Sequence, residues 1–170
     1  VARLTDRYFY ESFADREALL AAAWDFLRQD TLQVIMTATF AEPEATAAER
    51  LEVAIGAFVD SFESNPDRMR ILFAEHSGSE ALERLMRDTV IQFTDLFVTL
   101  ARPHLRQPAD ERGLRMTTLM AIGGFLALLR ARLDGVIEVS TAEFVRHAAT
   151  AGVDLAARYL EPGALQRRVG

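Results

Sequence analysis

Cysteine is absent from the 170-residue chain. Its absence excludes a disulfide framework, a thiolate metal site and a cysteine nucleophile, and it is compatible with a reducing cytoplasm, the expected location. Lysine is absent as well, so all 19 basic residues are arginine. Against 25 acidic residues they leave a formal charge of −6 and a pI near 5.1. That balance excludes a body that wraps nucleic acid, because phosphate binding needs clustered positive charge. With only 5 prolines and half its residues hydrophobic, the chain does not belong to the disordered classes. The longest apolar run, about 119–129, is read as too short for a bilayer and is closed by Arg130 and Arg132, so no membrane partner is expected.

Catalytic patterns are missing too. His76, His104 and His147 stand far apart with no metal-ligand spacing, and no serine sits in a nucleophile turn. Gly123-Gly124 falls inside a helical pattern rather than in a phosphate-cradling loop. Glu80 and Glu83 lie at helical spacing on a face expected to be solvated, and no Glu-x-x-His motif is present for a ferritin-like iron site. Neither enzyme activity nor a metal or cofactor is expected.

What remains is helical periodicity throughout, without the strict alternation of a strand, and the fold class is all-α. A first long helix is expected over 15–39, carrying Leu19, Leu20, Ala23, Trp24, Leu27, Leu32, Ile35 and Met36 inward. Glu42-Pro43-Glu44 breaks the pattern, and Thr46-Ala47-Ala48-Glu49 reads as a capping box for the next helix. Asn65-Pro66 closes that helix and opens a short one ending at Ser77-Gly78-Ser79. A long helix follows over about 80–102, then a loop marked by Pro103 and Pro108.

The last two long helices, about 109–133 and one opened by Ser140-Thr141-Ala142-Glu143, look different. The first has one apolar face with Leu114, Thr118, Ile122, Phe125, Leu129 and Leu133, and a second with Met116, Met120, Gly123, Gly124, Ala127 and Ala131. A helix apolar on two sides must be covered on both, and small residues permit close approach. The second face, together with Val145, Ala149, Gly152, Val153 and Ala156 of the following helix, is the expected homodimer interface.

The opening string, from Leu4-Thr5-Asp6-Arg7-Tyr8-Phe9-Tyr10 through Glu11-Ser12-Phe13-Ala14-Asp15-Arg16-Glu17 to Leu19-Leu20, resembles the recognition-helix end of TetR-family transcriptional regulators. Thr5 occupies the capping position, and Tyr10, Phe13, Arg16-Glu17 and Leu19-Leu20 fill the family's places. Ser12 departs from it, standing where an aromatic or histidine is usual. The resemblance implies that residues 1–14 are the end of a helix-turn-helix domain begun upstream, and that 15–170 form a ligand-binding and dimerisation domain. It assigns DNA contact to Thr5, Asp6, Arg7, Tyr8, Tyr10 and Arg16, with Arg7 able to read a guanine. It also implies an apolar effector cavity lined by Trp24, Phe58, Phe62, Met69, Phe73, His76, Met86, Phe93, Phe97 and Met120, with Thr89, Thr94 and His76 to orient a ligand. The expected partners are therefore operator DNA, a small apolar effector and a second copy of the chain. The alternative is a helical dimerisation or interaction module with neither DNA nor ligand.

Overall fold

The computed structural model describes residues 13, 15–42, 44–65, 67, 68, 71 and 80–165. Over these residues it is an all-α bundle: α1 (Arg16–Thr39), α2 (Ala47–Glu63), α3 (Glu80–Ala101), a 3-10 turn (Arg102–His104), α4 (Glu111–Leu133), α5 (Thr141–Ala157) and the short α6 (Pro162–Leu165). An isolated antiparallel bridge between Leu105 and Leu160 is the extent of β pairing among the described residues.

Side-chain caps fix most of the boundaries. Asp15 accepts from the Ala18 amide (2.8 Å) to start α1. Thr46 and Glu49 form the full reciprocal capping box at α2. At α5 Ser140 accepts from the Glu143 amide (3.2 Å), one half of such a box. Asp110 starts α4 by accepting from Gly113 N–H (2.8 Å), two residues later than the sequence pattern suggests. Gly135, with φ +72°, ends α4 in the left-handed conformation, and the Val136 amide reaches back to the Ala131 carbonyl (2.9 Å).

α2 is the central element, packed against α1 on one side and α5 on the other, while α3 and α4 pair beside it. Three apolar clusters fill the interior. Trp24, Leu27 and Phe62 form one, joined by Phe58, Ile71, Leu85, Met86 and Leu126. Val59, Leu129, Phe144 and Val145 form the second, with Phe125 against them. Val98, Leu105, Leu114, Tyr159 and Leu160 close the end where α3 meets the start of α4. A run of rings links the first two: Phe62 to Phe58 (4.5 Å between centroids), Phe58 edge-on to Phe125 (5.4 Å), and Phe125 to Phe144 (5.9 Å).

Arg132 braces the second cluster. Its guanidinium pairs with Glu63 of α2, donates to Thr141 Oγ1 of α5 (2.9 Å) and lies 5.5 Å over the Phe144 ring. At the α3–α4 connection Arg102 and Glu111 form a two-pronged pair. The hydrogen bond from Arg102 holds the Glu111 carboxyl below its usual value, and Glu111 raises the guanidinium in turn. A carboxyl with a lowered folded pKa stabilises the fold above its unfolded pKa, and that contribution is lost as pH falls through the folded value.

Gly113 is the most crowded of the described glycines. A Cβ there would collide with the Asp110 carboxylate and approach Tyr159 Cε1 to 2.7 Å. Gly113→Ala should therefore break the α4 cap or displace the Tyr159 ring, costing about 1–3 kcal/mol although alanine is the better helix former. A denaturant melt reads this directly. A variant as stable as the parent would show that this corner yields freely.

Candidate functional site

Two regions hold the candidate residues. The first is the wall formed by α1, α2 and α3 around Trp24, which is 3% exposed. Its indole Nε1 donates to Thr89 Oγ1 (3.1 Å), and that hydroxyl donates to the Leu85 carbonyl (2.7 Å). Thr94 donates to the Val90 carbonyl (2.8 Å). Both threonines expected to orient a ligand are thus engaged within the protein. The hydroxyls left over are those of Thr39, at the end of α1, and Thr31, one turn beyond Leu27. The Thr31 hydroxyl is the deeper one, buried at 3% residue exposure and meeting no partner among the described residues. A buried hydroxyl without a partner costs about 1–3 kcal/mol, so this one stands out as a place for a ligand's polar group. Sequence reasoning passed over it because a single threonine on an apolar stripe carries no distinguishing signal.

Of the expected effector residues, the structure brings Trp24, Phe58, Phe62 and Met86 together in this wall. Phe93 and Phe97 are half-buried on α3 and are not members of the cluster. Met120 is corrected: at 67% exposure it points away from the interior, because it lies on the opposite face of α4 from Leu114 and Leu129. Met69, Phe73 and His76 lie outside the described residues, as do Thr5, Asp6, Arg7, Tyr8 and Tyr10. The Arg16 backbone opens α1, but its side chain also falls outside the description. The cluster is closely packed. Beside it, an open groove of about 440 Å³ runs between α1 and α2, lined by Asp30, Val34, Asp60, Ser61 and Arg68. There Arg68 pairs with Asp30 and reaches Ser61.

The second region is the outer face of α4. Met116 is 61% exposed, Gly123, Gly124 and Ala127 are exposed, and Ala131 is half-buried. A Cβ at Gly123 or Gly124 would meet nothing within 4 Å. The α5 residues expected to join this face do not. Val145 and Ala149 are buried against α2, a Cβ at Gly152 would meet Leu51, Val153 is half-buried, and Ala156 packs on the Leu105–Tyr159 cluster. The outward side of α5 carries Arg146, His147, Thr150 and Asp154 instead. Its apolar stripe meets the protein's own core, and only α4 is left with an uncovered one among the described helices.

By length and composition alone, α4 also meets the criterion for crossing a membrane, with mean hydropathy 1.3 over its best window and 17% of that window buried. The criterion is met over a window longer than the run 119–129. Among the described residues no three acidic, histidine or cysteine side chains come together in a way that could hold a metal ion. No protein-family model matches the chain, and no curated protein is significantly similar to it.

If the Thr31 hydroxyl is an orphan, Thr31→Val should stabilise the ligand-free protein by about 1 kcal/mol or more, since it removes the polar atom and keeps the shape. Thermal melts of both forms decide the matter. A destabilised variant would mean that the hydroxyl has a partner.

Proposed function

We propose that the protein is a homodimeric, ligand-responsive transcriptional regulator of the TetR type, acting in the cytoplasm. The observation that carries the reading is the apolar face of α4 that no described residue covers, broad, glycine-centred and bordered by arginines. Two mid-helix glycines cost about 1 kcal/mol each relative to alanine, which is wasteful unless something approaches closely. A two-fold axis crossing α4 between Gly123 and Gly124 sets Met116 against Ala131 and Met120 against Ala127 of the second copy. Large then meets small at both pairs, which is the self-complementarity an isologous interface requires.

A membrane is the poorer partner for this face. Arg115 of α4 pairs with Asp95 of α3 and Arg132 with Glu63 of α2, so both ends of the helix are tied to charged surface.

The DNA half of the proposal rests on the opening string's resemblance to the family. In this reading the string leads into α1, whose 24 residues span about 36 Å, long enough to couple a reading head to the body. The effector half rests on the Trp24 wall and the orphan Thr31. A ligand seated there would shift α1 only to the extent that it binds one arrangement better than the other. A dimer alone would suit a plain helical interaction module equally well. Apolar compounds that raise the melting midpoint, and operator binding in a mobility-shift assay at stated salt, separate the two readings.

Gly124→Arg is the sharpest test of the dimer. Since the position is open in the protomer, the substitution should leave the monomer folded, and it would bury an unpaired charge in the contact. Light scattering should show a dimer for the parent and a monomer for the variant. An unchanged dimer, or a parent that is monomeric and co-sediments with lipid vesicles, would overturn this placement.

A further inference from the structure

The corner where the end of α3, the start of α4 and the end of α5 meet carries a groove of about 410 Å³, lined by Arg106, Pro108, Asp110, Arg158 and Tyr159. Two guanidiniums, those of Arg106 and Arg158, face this one groove. Neighbouring arginines of the α3–α4 region are paired with carboxylates, Arg102 with Glu111 and Arg115 with Asp95. Arg106 and Arg158 have no carboxylate at ion-pairing distance among the described residues.

Both are held in place by groups that are not acids. The Arg106 backbone N–H donates to the Tyr159 carbonyl (2.9 Å), and its Nε donates to the Leu160 carbonyl. Arg158 lies 4.6 Å over the Tyr159 ring and donates to the Tyr159 hydroxyl. That hydroxyl is itself anchored to Thr117 Oγ1 (3.0 Å) inside the protein, and Tyr159 is only 8% exposed. The rest of each guanidinium fork has no partner among the described residues. Asp110 borders the groove, but one carboxylate against two guanidiniums leaves the lining with a net positive charge on a chain whose total is −6.

We propose that this groove binds a phosphate-bearing small molecule through Arg106 and Arg158. Two like charges facing one groove repel, and an anion between them relieves the repulsion. A guanidinium presents paired donors that match phosphate oxygens. A carboxylate has two oxygens, enough for one fork. The terminal oxygens of a phosphate monoester are three and can accept from both forks at once. The site does not depend on how α4's outer face is covered.

The test follows the Arg Nε–H resonances of the full chain by NMR while inorganic phosphate is added at constant ionic strength, with chloride and acetate as controls and glycerol phosphate as an organic ester. Saturable shifts at Arg106 and Arg158 with phosphate, absent with chloride and weak with acetate, are expected. Tighter binding of the ester would point to an organic phosphate, and equal binding to free phosphate. Arg106→Gln should weaken binding about tenfold or more, the usual effect of losing a charged hydrogen-bonding partner. Arg106→Lys, which keeps the charge and the stem, should weaken it less. Shifts no larger than those from chloride, or a folded Arg106→Gln variant that binds phosphate as the parent does, would overturn the proposal. The parent's titration decides even if a variant fails to fold.

Discussion

A helix with two apolar faces, only one of them covered by the described residues, is the constraint on which the rest of this molecule turns. α4 buries Leu114, Thr117 and Leu129 in the bundle and leaves Met116, Leu119 and Met120 in the open. Exposed apolar side chains are ordinary when scattered and informative when they form a continuous stripe. Here the stripe runs along one helix, narrows to two glycines at its middle and changes from large to small residues across them. Burying such a stripe at about 25 cal/mol per Å² is a strong drive to associate. The proposed two-fold crossing would cover the stripe.

The inward side of α4 is held by three kinds of interaction acting at one place. Phe125 continues the ring contacts from α2 to Phe144 of α5, Leu129 fills the space beneath them, and Arg132 closes the end by joining Glu63, Thr141 and the Phe144 face. The apolar contacts supply most of the energy, because a pair that reaches solvent as Glu63 and Arg132 do is worth about 1 kcal/mol at most. What Arg132 adds is direction, since its donors fit only one arrangement of α2, α4 and α5. Against this background the Thr31 hydroxyl, like that of Thr39, has no partner among the described residues, and Thr31 lies one turn from Leu27 in the wall where an effector is proposed to sit.

Much of the fold was legible in the sequence because caps and breaks are local chemistry. Thr46 with Glu49 and Ser140 with Glu143 act through neighbours three residues away, so their effect is written in the string itself. The second face of α4 was legible for the same reason, as two stripes on one helix exceed what one neighbour can cover. Which partner covers a stripe is a different matter. Val145, Ala149 and Ala156 carry the same periodic signal whether α2 or a second copy lies opposite, and the choice of α2 is set by tertiary packing. Met120 was misplaced among effector residues because methionine is at home in a cavity wall or an interface. The Tyr159–Thr117 contact joins residues 42 apart in sequence, beyond what any local pattern reveals, and the two arginines beside it share that distance from notice.

The absence of cysteine offers a direct measurement of the central claim, since a single introduced thiol has no competitor in the chain. Gly123→Cys places that thiol beside the proposed two-fold axis, where Cα atoms of two copies would come within the roughly 4.4–6.8 Å that a disulfide spans. Mild oxidation at micromolar protein should convert the folded variant to a covalent dimer, seen on a non-reducing gel, while Thr150→Cys, on the polar side of α5, should give none. If the thiol introduced by Gly123→Cys instead stays reduced and freely alkylated in a chain that sediments as a monomer, α4 does not meet its own copy, and the account of this protein as a dimer built on that helix is wrong.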